Sequence, residues 1–183
     1  MEHRGTVRLE NERLILRRFV PEDAQAFFDN WAGDPEVASY LTWPAHESVA
    51  VTRALLEEEW IPKYENPDYY NWAIVWKETG EPIGNVEGFH LREAEGEITL
   101  GYCMSRAFWG RGIMPEAVRE VMKFLFFEVD VNRIQADHDT RNPKSGRVMQ
   151  KCGMQYEGTL RQKIRTTSGL ADVCVYGILK SEF

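Results

Sequence analysis

The chain has 183 residues, 43% of them hydrophobic and 28% charged, which suits one well-buried core in an ordinary globular fold. No apolar run approaches the ~18 residues of a membrane-spanning helix, and the opening Met1-Glu2-His3-Arg4 lacks the apolar centre of a signal segment, so a cytoplasmic location with no membrane partner is expected. The net charge of −7 is uneven: residues 1–90 carry 17 acidic and 8 basic side chains, residues 91–183 carry 12 and 14, a balance that disfavours nucleic acid, suits a cationic partner and lets the second half accept phosphate.

Apolar alternation predicts a strand over residues 13–19, after which Val20-Pro21-Glu22-Asp23 opens a helix carrying Ala24, Phe27, Phe28 and Trp31 at helical spacing, read as core. A short helix near residues 35–41 and a longer one near 48–64 follow. The irregular stretch 42–47 between them can line a pocket. Residues 71–77 and 82–91 are rich in strand formers and are separated by a hairpin signal at 78–81; with a third strand over 97–104 they make an antiparallel meander. A helix then runs to about Val129, with Ala117, Val118, Val121, Met122, Leu125 and Phe126 as its buried stripe. Residues 132–137 form the next strand and 142–151 a helix ended by Cys152-Gly153. Two closing strands, 154–160 and 171–179, are joined by a basic segment at 161–165. With no repeat or linker, residues 1–183 read as a single α+β domain with a mixed sheet.

Residues 100–117 are the most informative stretch: a strand, a glycine-bracketed turn and a helix start with almost nothing between them. Gly110 and Gly112 flank Arg111, so the turn can enter backbone regions closed to residues with a Cβ, and an anion can approach without meeting side chains. Pro115 falls in the first helical turn, where its missing N–H costs little. Free amides and the positive end of a helix dipole then converge on one point, which favours a phosphate-bearing cofactor; an ordinary strand-to-helix turn is the other reading. No Lys-Ser or Lys-Thr follows the second glycine, which excludes a P-loop. Met114 and Pro115 occupy the place of the third glycine of a dinucleotide fingerprint. Cys103, Cys152 and Cys174 are widely spaced without Cys-x-x-Cys, and the four histidines are scattered, so buried thiols and no metal are expected.

Three separated pieces in this order, residues 13–17, 100–117 and 142–153, make the chain resemble the GNAT superfamily of acetyl-coenzyme A-dependent N-acetyltransferases, and within it the RimJ/RimL-like branch. The resemblance implies a mostly antiparallel mixed sheet of about seven strands flanked by helices, with one splayed strand pair. It implies acetyl-coenzyme A as co-substrate, and it lays the pyrophosphate loop on Trp109, Gly110, Arg111, Gly112, Ile113 and Met114. Gly112 matches the family pattern, while Trp109 and Met114 depart from its first and last positions. Cys103 and Met104 fall at the strand end where backbone groups receive the pantetheine arm. Asn142 corresponds to a pantetheine partner and is also a good helix N-cap; Ser145 lies near the expected thiol as a donor to the leaving thiolate.

Acetyl transfer needs a neutral amine, a donor for the developing oxyanion and a proton for the thiolate. An α-amine with pKa near ~8 costs about 1.4 kcal/mol to neutralise at pH 7, a lysine near ~10.4 about 4.6 kcal/mol. Thr99 stands where relatives often place a glutamate, so the usual base is either absent or displaced to Glu97 on the same strand face, with Glu87 on the preceding strand a second candidate. His138 and Asp139 are candidates for a relay and Tyr176 for an acid, each with a structural alternative. The acceptor implied by the resemblance is a primary amine: a protein N-terminus of ribosomal-protein type, or a small cationic or aminoglycoside-like amine. A catalytically inactive coenzyme A-binding sensor, and a homodimeric interaction domain using Trp43, Trp60 or Tyr64 as a partner surface, stay open.

Overall fold

Period-two alternation produces eight strands in one sheet: β1 (Leu9–Glu10), β2 (Leu14–Arg17), β3 (Tyr70–Trp76), β4 (Glu81–Arg92), β5 (Glu97–Met104), β6 (Arg133–Asp139), β7 (Gln155–Thr166) and β8 (Gly169–Leu179). Their spatial order in this computed structural model, which describes residues 1–183, is β1-β2-β3-β4-β5-β6-β8-β7. Neighbours are antiparallel except β5 and β6. The strand beyond the expected seven is β1, whose two residues are too few to leave a periodic pattern. Residues 161–165 are not a connector but part of β7. Bulges between Tyr156 and Gly158 and between Leu160 and Ile164, with Gln162 at φ 47°, break the alternation that marks a strand.

Helices cover both faces. On one side lie α1 (Ala24–Phe27), prolonged by the π-helical turn Phe28–Ala32, then α2 (Pro35–Ala38), α3 (Val49–Ala54), the π-helical turn Leu55–Trp60 and α4 (Ile61–Lys63). On the other lie α5 (Ile113–Phe127) and α6 (Pro143–Lys151). Because successive strand residues point to opposite faces, β3 is buried along its whole length and feeds two cores. Tyr70, Trp72 and Ile74 pack with Val118, Val121, Met122 and Leu125 of α5. Ala73 and Val75 pack with Phe19, Phe27, Trp31 and Leu56. Phe27 stacks on Trp31 at 4.3 Å and on Trp60 at 5.5 Å between centroids, which fixes the aromatic spacing of α1 as core.

The parallel pair positions the site. β5 and β6 are matched only at Glu97 and Arg133, Ile98 and Ile134, and Thr99 and Gln135. Past Thr99, β5 stays paired to β4 and β6 to β8, but β5 and β6 no longer pair with each other. The sheet therefore opens between residues 100–104 and 136–139, with a free backbone edge on each side.

Candidate active site

The opening between β5 and β6 forms a cleft of about 210 Å³. Its walls include Tyr40, Trp43 and Trp60 from the α1–α4 side, Phe89 from β4 and Ile164 from β7, and its polar groups include Glu87, Asp137, His138, Asp139, Asn142 and Ser145. A larger hollow of about 410 Å³ beside Asp23, Asp29 and Glu81 has a single hydrophobic lining residue, so it lacks the apolar walls with a few convergent polar groups that mark a binding site. Trp43 and Trp60 are half-buried cleft residues, and Tyr64 is buried with its hydroxyl donating to the Asn71 carbonyl at 2.8 Å, so these three do not form an exposed partner surface.

Glu87 is the first of the expected residues in the cleft. It faces Gly101 across the β4–β5 ladder. A Cβ on Gly101 would lie 2.8 Å from Phe89 Cε1 and 3.5 Å from Glu87 Oε1, so the glycine makes room for the Phe89 ring edge beside the carboxylate. Burial pushes the Glu87 carboxyl above the usual carboxylate range, only partly opposed by the charge of Lys63, and no hydrogen bond holds it down. Continuing the β5–β6 register from Thr99 and Gln135 puts Asp137 level with Gly101. Glu87, Gly101 and Asp137 thus form one row on the sheet face covered by α1–α4. Burial raises the Asp137 carboxyl as well, against the charges of His138, His90 and Lys163. Asp137 went unassigned in the sequence because its alignment with Glu87 depends on the register of three strands, one of them reached through a helix.

Glu97 has a different setting. It stands at the closed end of β5, where Arg133 Nε donates to it at 2.8 Å and Arg92 Nη1 at 3.4 Å, and it does not line the cleft. Four residues along the strand separate it from Gly101, roughly 13 Å. Asp139 is likewise engaged: its buried carboxylate accepts from the backbone N–H and the guanidinium of Arg141, which holds its pKa below the ordinary value. The His138 ring is pinned by Nδ1–H donating to the Asp139 carbonyl at 2.8 Å, while Nε2 lies against Gly146, where a Cβ would approach to 2.5 Å. Tyr176 packs against that ring, its hydroxyl accepting from Gln150 Nε2 at 3.3 Å, and does not line the cleft.

On the opposite face, α6 brings Asn142 and Ser145 to the cleft. Asn142 takes the N-cap position, but its side chain makes no capping hydrogen bond, so its amide stays available. The Ser145 hydroxyl donates to the Tyr102 hydroxyl at 3.1 Å, and Tyr102 O–H donates to the Ser145 carbonyl at 2.8 Å. Burial raises the Tyr102 pKa far enough to keep it protonated at neutral pH. Tyr102 joins Ser145 as a second hydroxyl that the sequence offered only as part of Leu100-Gly101-Tyr102. Cys103 Sγ donates to Asn85 Oδ1 at 3.2 Å, and burial pushes its thiol up, so it is not a thiolate nucleophile.

The glycine turn has the shape of an anion cradle. Gly110 and Gly112 both have φ 75°, and a Cβ on either would meet nothing within 4 Å. The amide N–H groups of residues 110–114 find no acceptor within the chain. Ile113 and Met114 turn their side chains into the core, so the unusual Met114 leaves the amides uncovered. Trp109 Nε1 donates to the Met104 carbonyl at 2.9 Å and its ring lies under Lys144 Nζ at 4.8 Å, which ties the end of β5 to the start of α6. Arg111 lies over Trp76 and Phe108 at 5.5 and 5.2 Å. These donors and cations fit a diphosphate, and the open strand edges beside them fit an extended amide-bearing arm.

Comparison with known proteins agrees with this geometry. Residues 13–155 match the acetyltransferase (GNAT) domain. The uncharacterized N-acetyltransferase p20 of Bacillus licheniformis is 32% identical over 176 residues, covering 96% of this chain and 97% of that protein. Among solved structures, an acetyltransferase of the GNAT family from Bacillus anthracis superposes with a TM-score of 0.84 at 24% identity over 96% of this chain and 100% of its own. The ribosomal-protein-S5-alanine acetyltransferase of Vibrio fischeri does so with 0.83 at 20% identity over 96% and 98%. With a splayed parallel pair, a glycine cradle at the head of α5 and a domain match over most of its length, the chain belongs to the GNAT family of N-acetyltransferases.

Proposed function

We propose that the cleft transfers an acetyl group from acetyl-coenzyme A to a primary amine whose proton is taken by Glu87. The observation that carries this reading is the Glu87 carboxylate itself, raised by burial and without a hydrogen-bond partner where the sheet opens. Acetyl-coenzyme A supplies a thioester whose carbon–sulfur bond breaks as the bond from the amine nitrogen to the acyl carbon forms. The amides of residues 110–114 hold the diphosphate, and the backbone edge at Cys103 and Met104 with the Asn142 side chain orients the pantetheine arm. Glu87 accepts the amine proton, and the Ser145 hydroxyl, turned from Tyr102 toward the sulfur, donates a hydrogen bond to the leaving thiolate, which takes its proton from solvent. Glu97, neutralised by Arg133 and Arg92, has a supporting part in holding the closed end of the parallel pair.

The acceptor that the RimJ/RimL-like resemblance supplies is a protein N-terminus of ribosomal-protein type. The description of the Vibrio fischeri structure supports it, as does the small cost of neutralising an α-amine, about 1.4 kcal/mol, which a single partly buried carboxylate can meet. A thiol-release screen over N-terminal peptides, polyamines and aminoglycosides tests the reading, with release from the peptides as the expected result. Calorimetric binding of acetyl-coenzyme A with no release from any amine would instead mean a coenzyme A-binding module.

A further inference from the structure

We infer that the acceptor carries a second positive charge close to the amine that is acetylated, and that Asp137 grips this second charge while Glu87 takes the proton from the first. The inference rests on the transfer reading above and adds the chemical class of the acceptor and a specificity-determining residue.

The cleft holds two carboxylates without a hydrogen-bonded partner and no lysine or arginine; its one imidazole, His138, has Nδ1 tied to the Asp139 carbonyl and Nε2 against Gly146. Glu87 and Asp137 flank Gly101 in one row, on β4 and β6, and the Phe89 ring edge lies over the glycine between them. Acidic groups near by are already matched: Asp139 by Arg141, and Glu97 by Arg133 and Arg92. His138, His90 and Lys163 lie near enough to act on Asp137 through their charge, yet none makes a hydrogen bond with it. A single ammonium at Glu87 therefore leaves the second carboxylate half-buried without a hydrogen-bonded counterion, which is costly in a low-dielectric site, whereas a dication matches both. Two strand spacings put the β4 and β6 backbones at least roughly 10 Å apart, and the two side chains shorten that span from either side, so the charges sit on a short spacer. Trp43, Trp60 and Phe89 wall the same space and favour cations over their ring faces.

Matched acceptors test this, with kcat/KM from thiol release as the readout. One pair is butylamine and 1,4-diaminobutane; the other is a peptide beginning Ala-norleucine and the same peptide beginning Ala-Lys. The dicationic member of at least one pair is expected to be favoured about tenfold to a hundredfold, the range for a hydrogen-bonded charge partner. The ratio should fall to near one in Asp137→Asn and recover in part in Asp137→Glu. Preference confined to the first pair identifies a free diamine, and preference confined to the second identifies a basic N-terminus; either supports the inference. Equal kcat/KM for both members of both pairs in the wild-type protein overturns it without recourse to any variant. A preference that survives intact in folded Asp137→Asn removes Asp137 from the role. No thiol release from any of the four compounds overturns the transfer reading, and this inference with it.

Discussion

Glu87 is a residue placed at a cost to stability. Its carboxyl is raised by burial, so the folded state favours the protonated form. The stability it contributes is fully present below the ordinary carboxylate range and is lost as pH rises through the raised value. The proposed catalysis runs the other way, because a base accepts a proton only when ionised. The acid limb of kcat/KM should therefore lie above the usual carboxylate range, and Glu87→Gln should remove that limb while lowering kcat about 10²–10⁴-fold. The same substitution should raise Tm at pH 8, where the wild-type side chain is a half-buried charge, and the gain should shrink toward pH 4. A variant that keeps both the rate and the acid limb would transfer the base role elsewhere. Glu87 was within reach of the sequence as one of two strand carboxylates. What separated it from Glu97 was the pairing of Glu97 with Arg133, 36 positions on, a contact that only the assembled parallel ladder creates.

The elements that the sequence disclosed best are those built from local chemistry. The glycine turn and α5 follow from positive-φ positions, a first-turn proline and a 3.6-residue apolar stripe, all contained in about twenty consecutive residues. The two closing strands were disclosed less well, since bulges in β7 shift the alternation out of phase and the basic residues of 161–165 look like a loop. The end of α6 next to the cleft was half legible: Asn142 does stand at the N-cap, but its side chain is not spent on capping. For the cradle, the consequence is testable at Gly112. A Cβ there meets no neighbour within 4 Å, but a β-branched residue must adopt φ 75°, a strain of roughly 1–2 kcal/mol, and places bulk beside the open amides. Gly112→Val should raise the KM for acetyl-coenzyme A at least about tenfold, as expected when an anion loses backbone donors worth about 1.4 kcal/mol or more. An unchanged KM in a folded variant would take the loop out of the binding site.

Across the whole molecule, the cleft is closed by segments far apart in sequence. The turn between β7 and β8 reaches over the end of α2: Thr167 N–H donates to the Leu41 carbonyl at 3.0 Å, Thr167 Oγ1 to the carbonyls of Ala38 and Ser39 at 2.8 and 3.1 Å, and Ser168 Oγ to that of Ser39 at 2.6 Å. Arg141, held by Asp139, reaches the Ser168 carbonyl and Thr166 Oγ1 at 3.4 Å from the other side. These bonds join β6, the β7–β8 turn and α2 into a brace behind Tyr40, Leu41, Thr42 and Trp43, which wall the cleft on the side proposed for the acceptor. No local pattern announces such a brace, because its partners lie about 130 positions apart and are serine, threonine and backbone groups common to any loop. Thr167→Val keeps the side-chain volume and the backbone bond but removes the hydroxyl, at a cost of about 0.5–1.5 kcal/mol. For a domain of this size each kcal/mol lowers Tm by only about 2–4 °C, so the fold survives. The wall should loosen more than the fold does: KM for the amine should rise by roughly threefold to tenfold, corresponding to about 1 kcal/mol, while KM for acetyl-coenzyme A, whose proposed diphosphate site is the glycine turn, stays near its wild-type value. Faster amide hydrogen exchange at residues 40–43 should accompany the change. If instead both KM values hold while Tm falls, the brace supports the fold alone and the acceptor wall is rigid without it.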